Sequence, residues 1–156
     1  MAGPILRFPL TRHYISDARC FAYRFTVRLE VETGQGEFVP LPFRLDSGSD
    51  FMTIPQWMAR LNNITFSEET GLFPKTAAGR ADKPSFISPV WFSFPQLPAW
   101  KFATDCVFTP YNLPYCLLAL NDFVPHFLIR SNKEALDYPD GSVLFQLRGD
   151  RGGKRR

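Results

Sequence analysis

Asp46-Ser47-Gly48-Ser49-Asp50 places a carboxylate, two hydroxyls and a second acid on consecutive residues. The segment before it, Leu41-Pro42-Phe43-Arg44-Leu45, is largely apolar, and the chain leaves through another apolar segment, Phe51-Met52-Thr53-Ile54-Pro55. An acid set straight after a buried strand is expensive to bury unless it is hydrogen-bonded or paired. Ser47 and Ser49 offer hydroxyls beside it, and Gly48 permits a backbone bend that other residues resist. The expectation is a carboxylate held by its own loop and presented for acid–base chemistry. Asp-Ser-Gly also serves as an ordinary strand-end turn capped by its Asp, so the flanking elements have to decide.

Few other residue types compete for a chemical role. His13 and His126 stand alone and there is no Cys-x-x-Cys, so the sequence offers no metal site and implies no cofactor. Cys20, Cys106 and Cys116 leave one thiol over in any pairing scheme. Their apolar neighbours predict buried thiols in a reducing, cytoplasmic setting. No segment has the length and hydropathy of a bilayer span, and Met1 to Arg7 lacks the apolar core of a signal peptide. The formal charge is +3, but Arg148 to Arg156 carries five basic residues against one acid, so the positive excess belongs to the tail. Residues 148–156 are expected to be a disordered, solvated end, and the folded domain is not expected to bind nucleic acid or membrane.

The elements that must position Asp46 are mostly strands. The 156 residues suit one domain, and 16 Phe with 14 Pro point to strands broken by tight turns. Ile5 to Leu10 reads as an edge or terminal strand, demoted by Pro9, within an N-terminal extension of residues 1–16. From Cys20 to Glu32 the residues Phe21, Tyr23, Phe25, Val27, Leu29 and Val31 fall on one face. Thr33 to Gly36 turns the chain, and Phe38 to Leu45 returns to deliver Asp46. Pro55 to Leu61 suits a short helix with Pro in its first turn. Leu72 to Thr76 and Ser85 to Phe94 flank a small-residue tip that includes Ala77, Ala78 and Gly79. Trp100 to Phe108 and the buried run Tyr115 to Leu120 are further strands. Asn121 or Asp122 caps a possible helix, and Phe127 to Arg130 and Ser142 to Leu147 close the domain.

The strand entering Asp46-Ser47-Gly48-Ser49, the later small-residue hairpin, and Leu117-Leu118-Ala119-Leu120 leading into Asn121-Asp122-Phe123 together resemble the retropepsin-like aspartic proteases, single-lobe relatives of pepsin. The resemblance covers roughly residues 21–147, within a domain drawn at 17–147. It implies a closed β-barrel of the single-lobe acid-protease type with one or two short helices. It also implies a role for each matching residue. Asp46 matches the catalytic aspartate. Ser47 matches the hydroxyl residue that locks two such loops together, Gly48 the glycine lying against substrate, and Ser49 the small position after it. Asp50 resembles the acid that holds substrate main chain, and Ala77, Ala78 and Gly79 fall at the tip of the flap. Leu117, Leu118 and Ala119 correspond to a supporting apolar-apolar-Gly motif, with Ala119 in place of the Gly. An added methyl there is tolerated where φ is negative.

Aspartic proteolysis uses two carboxylates that share one proton. One acts on a water molecule as base, and the other, protonated, polarises the scissile carbonyl. Only one Asp-Ser/Thr-Gly is present, and Glu32-Thr33-Gly34 reads as a turn. The resemblance therefore implies a twofold homodimer, with a peptide or protein as substrate and each copy bringing its own Asp46. The Asp46 loops and the free edges of the terminal strands, Ile5 to Leu10 and Ser142 to Leu147, are the expected interface. Two other readings stand beside the endopeptidase. One is an inactive peptide-binding or dimerisation module with the same fold, which Ala119 favours. The other is a structural β domain in which Asp46 only caps a turn.

Overall fold

The alternating pattern from Cys20 onward folds as expected, into a long strand that hairpins back to carry Asp46. The structure, a computed structural model, describes residues 3–46, 48–73, 75–76, 79–119, 122, 126–132, 142–148 and 154–155. In chain order the elements are β1 (Ile5–Ile15), β2 (Cys20–Glu32), β3 (Phe38–Asp46), β4 (Met52–Pro55), α1 (Gln56–Leu61), β5 (Gly71–Leu72), β6 (Lys75–Thr76), β7 (Gly79–Arg80), β8 (Ser85–Ser93), β9 (Trp100–Thr109), β10 (Cys116–Ala119), β11 (Phe127–Asn132), β12 (Ser142–Leu147) and β13 (Lys154–Arg155). The protein is mostly β.

One 11-stranded sheet runs in the order β11-β12-β1-β2-β3-β10-β4-β9-β8-β5, with β13 beside β9. A further pairing of β2 with β8, through Glu30 with Ser93 and Val31 with Phe92, joins the middle of this path to its far end. The β2–β3 hairpin turns at Thr33 to Gly36, where Gly36 takes a left-handed φ of 81° that only glycine adopts readily. Pro55 leads into α1 as its N-cap, in keeping with its lack of a backbone donor. At Pro89 the ladder to β9 continues through Asp105. The opposite edge of β8 is paired only nearer its ends, among the described residues, so the missing donor is harmless.

Much of the Phe content goes into one interior cluster. Phe8, Phe25, Phe94, Phe127 and Phe145 are buried, with ring centroids such as Phe8–Phe25 at 5.5 Å and Phe94–Phe127 at 5.3 Å in edge-to-face contact. Such pairs add about 0.5–1.5 kcal/mol beyond the area they bury. Phe43, Met52, Ile54, Phe108 and Leu118 extend this core beneath the Asp46 loop.

Several sequence expectations change. β1 runs on to Ile15, well past Pro9, because its second half pairs with β2 from Leu10↔Phe25 to Ile15↔Cys20. The two strands expected to offer free edges to a partner pair with each other instead, from Ile5↔Gln146 to Pro9↔Ser142. The other edge of β12 is taken by β11. Residues 1–16 therefore contribute a sheet strand whose Leu6 and Phe8 are core. In the tail, expected to be solvated, Lys154 and Arg155 pair with Lys101 and Trp100. Cys106 and Cys116 are buried as expected, but Cys20 is exposed.

Candidate active site

Asp46 is the last residue of β3, and its register partner is Ala119, the last residue of β10. On its other edge β10 meets β4 through Leu117↔Thr53. The chain thus leaves the sheet at Asp46, turns, and re-enters at Met52 with β10 lying between its two limbs. This split is what lifts a carboxylate out of the sheet while keeping its backbone anchored on both sides.

The loop holds Asp46 with short-range bonds. The Gly48 backbone N–H donates to Asp46 Oδ1 at 2.9 Å, and the Ser49 N–H donates to the Asp46 carbonyl at 3.2 Å. The Ser49 hydroxyl donates to the Phe51 carbonyl at 2.8 Å and so closes the turn, not the acid. Gly48 does not adopt a left-handed backbone; a Cβ there would lie 3.4 Å from Asp46 Oδ1. Its value is close approach to the carboxylate, not an unusual φ. Asp46 is half-buried and Asp50 exposed. Ser47 lies outside the described residues.

Beside this loop opens a cleft of about 690 Å³, bounded by Gly48, Ser49, Asp50 and Phe51 on one side and by Leu72, Phe73 and Ile87 on another. Leu117 contributes to its floor, while Leu118 and Ala119 are buried beneath. β6 and β7 form a hairpin of their own, Lys75↔Arg80 and Thr76↔Gly79, following the β5 residue Leu72 that lines the cleft. Ala77 and Ala78 lie outside the described residues. Gly48, Ser49, Asp50 and Leu117 are therefore brought to one cleft, and Ala119 is brought to Asp46. Ala119 is not among the residues with positive φ, so its methyl meets no backbone strain.

Asp122, expected as a possible helix cap, is helical, and its side chain does more than cap. It is 4% exposed. One carboxylate oxygen accepts from the Thr104 hydroxyl and the other from the Ala119 backbone N–H at 3.1 Å. The Met52 backbone bonds to it as well. Burial pushes this carboxyl above its ordinary range, and the bonds from Thr104, Ala119 and Met52, with His126 nearby, pull the other way. Asp122 thus ties the end of β10 to β9 and to the start of β4. The available signal is an acid one residue past a buried apolar run, close to the signal that marks Asp46. Burial pushes the Cys116 thiol up to about 12 and Cys106 well above its ordinary value, which leaves both unreactive at neutral pH. No group of three metal-ligating side chains occurs among the described residues, and no helix among them is long and apolar enough to cross a membrane.

No family model and no curated protein matches the sequence. Solved structures do match the fold. A retropepsin-like aspartic protease from Rickettsia conorii superimposes with a TM-score of 0.59 over 92% of this chain and 91% of its own, at 10% identity. A foamy viral protease–reverse transcriptase in complex with an RNA/DNA hybrid matches with a TM-score of 0.37 over 62% of this chain and 11% of its own, at 18% identity. On the first of these matches, the chain resembles a retropepsin-like fold over nearly its whole length.

Proposed function

We propose that the protein is an aspartic endopeptidase, a hydrolase that works as a homodimer with one Asp46 from each copy. The observation that carries this is the setting of Asp46. It stands at a strand end, tethered by the Gly48 N–H, and although Asp46 does not itself line the cleft, the residues that follow it, Gly48 to Phe51, do, within a chain that resembles a retropepsin-like fold over nearly its whole length. Two such carboxylates across a twofold axis share a proton, because like charges at hydrogen-bonding distance cannot both ionise. The ionised partner takes a proton from water as it attacks the scissile carbonyl. The protonated partner donates to the carbonyl oxygen, and the proton then passes to the leaving amine.

In this reading the substrate is an extended peptide lying along the cleft, its backbone held by strand-like pairing. The β6–β7 hairpin, with Ala77, Ala78 and Gly79, covers it, and Asp50 at the rim contacts its main chain. Ser47 braces the two loops, and Ser49 closes the turn. Leu117, Leu118 and Ala119 support the floor. The β2–β3–β10–β4–β9–β8 circuit acts as the closed barrel of this fold, and residues 17–147 form the protease domain with the first strand docked on it. No cofactor or metal takes part.

The test is a dilution series with a peptide library as substrate. Specific activity per subunit is expected to fall once the concentration drops below the dimer dissociation constant, and excess Asp46→Asn protein is expected to suppress wild-type activity by forming dimers with one carboxylate. Activity strictly proportional to concentration, untouched by the variant, overturns the two-carboxylate mechanism.

A further inference from the structure

The two strands β1 and β2 continue beyond the body of the sheet as a ribbon. Among the described residues, Leu10–Ile15 pairs only with β2, and Cys20–Phe25 pairs only with β1. A two-stranded ribbon is marginally stable unless something covers its apolar face. This ribbon has such a face. Leu6, Phe8, Phe25 and Val27 are buried, and two-residue periodicity carries the same face outward through Leu10 and Tyr14 on β1 and through Tyr23 and Phe21 on β2. The outer members are uncovered: Tyr14 is 59% exposed, Phe21 57% and Tyr23 59%. Tyr14 and Phe21 already meet with ring centroids 5.2 Å apart, tilted at 59°, and the Arg12 guanidinium lies 4.6 Å from the Phe21 ring centroid. The patch is therefore pre-formed, which lowers the entropy lost on docking.

Register gives its direction. β2 and β3 are antiparallel with Thr26 opposite Arg44, so residues 20–25 continue past the end of the sheet at which β3 delivers Asp46. That is the end a second copy must approach if two Asp46 carboxylates are to meet. We propose that the ribbon of residues 10–25 is the dimerisation arm of this protein, its Tyr14–Phe21–Tyr23 face packing on a second copy of the chain. The inference rests on the homodimer reading above and names the surface that assembles it. The terminal strands, whose mutual edges are paired within the chain, are not available for that role in the same way.

The three aromatic residues supply roughly 300–400 Å² of coverable surface per copy from their exposure, about half of the roughly 800 Å² that each partner of a stable complex contributes. The Asp46 loops supply further contact where they meet. Exposed tyrosines with a stacked arginine are also the residue types that anchor interfaces.

Sedimentation of the full chain tests the arm without relying on peptidase activity. Wild type is expected to show a monomer–dimer equilibrium, and the triple variant Tyr14→Ser, Phe21→Ser, Tyr23→Ser to weaken it at least 100-fold while keeping the far-ultraviolet circular dichroism of wild type. Tyr23→Ser alone, which removes one exposed ring, is expected to weaken it about tenfold and serves if the triple variant does not fold. Variants that dimerise like wild type overturn the arm and leave the homodimer reading standing. Variants that dimerise normally but cleave peptides more slowly also overturn it, in favour of a substrate-contact role for the ribbon. A wild type that stays monomeric at every concentration overturns both.

Discussion

Asp46 ends β3, Asp122 follows the end of the adjacent β10, and one residue joins them. Ala119 is the register partner of Asp46 and donates its N–H to Asp122. Their surroundings differ at every other point. Asp46 is half-buried and bonded by its own turn, Gly48 to Asp46 Oδ1, so that turn engages one carboxylate oxygen and not the other. Asp122 is sealed in, with both oxygens engaged by groups from β9 and β10, and its tie to Met52 reaches β4. A short-range tether orients a carboxylate without committing it. Long-range bonds fix separate strands but leave no acceptor capacity for a substrate. The same residue type, after two similar apolar runs, is thus left partly accessible on a loop in one case and sealed between strands in the other.

The sharpest way to break this comparison is to remove each charge in turn. Asp46→Asn keeps the acceptor for Gly48 and should leave the melting temperature near that of wild type. It should lower peptide cleavage by several orders of magnitude, since acid–base partners each contribute about 10²–10⁴-fold. Steady-state kinetics and calorimetry on the same preparation decide it. An Asp46→Asn protein as active as wild type moves the chemistry elsewhere.

The next largest effect lies at the other carboxylate. Asp122→Ala strands the backbone N–H groups of Ala119 and Met52 in the interior, each unsatisfied group costing about 1–3 kcal/mol. Urea denaturation should show a loss of that order or more, against little change for Asp46→Ala. Equal losses at the two positions would erase the distinction drawn here.

Much of this arrangement was legible in the sequence. The alternation from Cys20 to Glu32 and the apolar run ending at Leu45 give the hairpin that carries Asp46, because a one-sided strand has a strict two-residue period. Pro55 marked the helix start through its missing donor. What was not legible depends on long-range partners. The fate of Asp122 is decided by Thr104 and Met52, which no local pattern connects to it. The periodicity predicts that Phe21 and Tyr23 share a face with Val27, but not that the sheet ends before it covers them. The pairing of the two chain termini is equally a matter of register, and free edges cannot be told from used ones by composition.

Titration sharpens the comparison further. Because burial raises the Asp122 carboxyl above the ordinary aspartate value of 3.8, the folded chain binds that proton more tightly than the unfolded chain. Between 3.8 and the raised value the folded state holds more protons, so this group's contribution to stability improves as pH falls through the raised value and is complete below 3.8. Asp122→Asn cannot titrate. Denaturant midpoints measured from pH 8 down to pH 4 should therefore show the wild type gaining on the variant toward acid. A difference that is constant with pH, or that moves the other way, would mean that Asp122 is ionised without penalty.

The smallest effect concerns the residue the two aspartates share. Ala119 is fully buried, its N–H is held by Asp122, and its φ is not positive. Glycine at this position therefore relieves no strain. It removes one buried methyl and widens the conformational freedom of the unfolded chain, which together should cost about 0.5–1 kcal/mol or slightly more. Because the Asp46 tether is made by Gly48 and not by Ala119, turnover per folded protein should stay the same. Ala119→Gly is expected to shift the denaturation midpoint downward while kcat/KM, measured well below that midpoint, is unchanged. A gain in kcat/KM would show that the methyl does press on the Asp46 loop, and that the Asp122 tie holds β10 in a position the catalytic loop must work against.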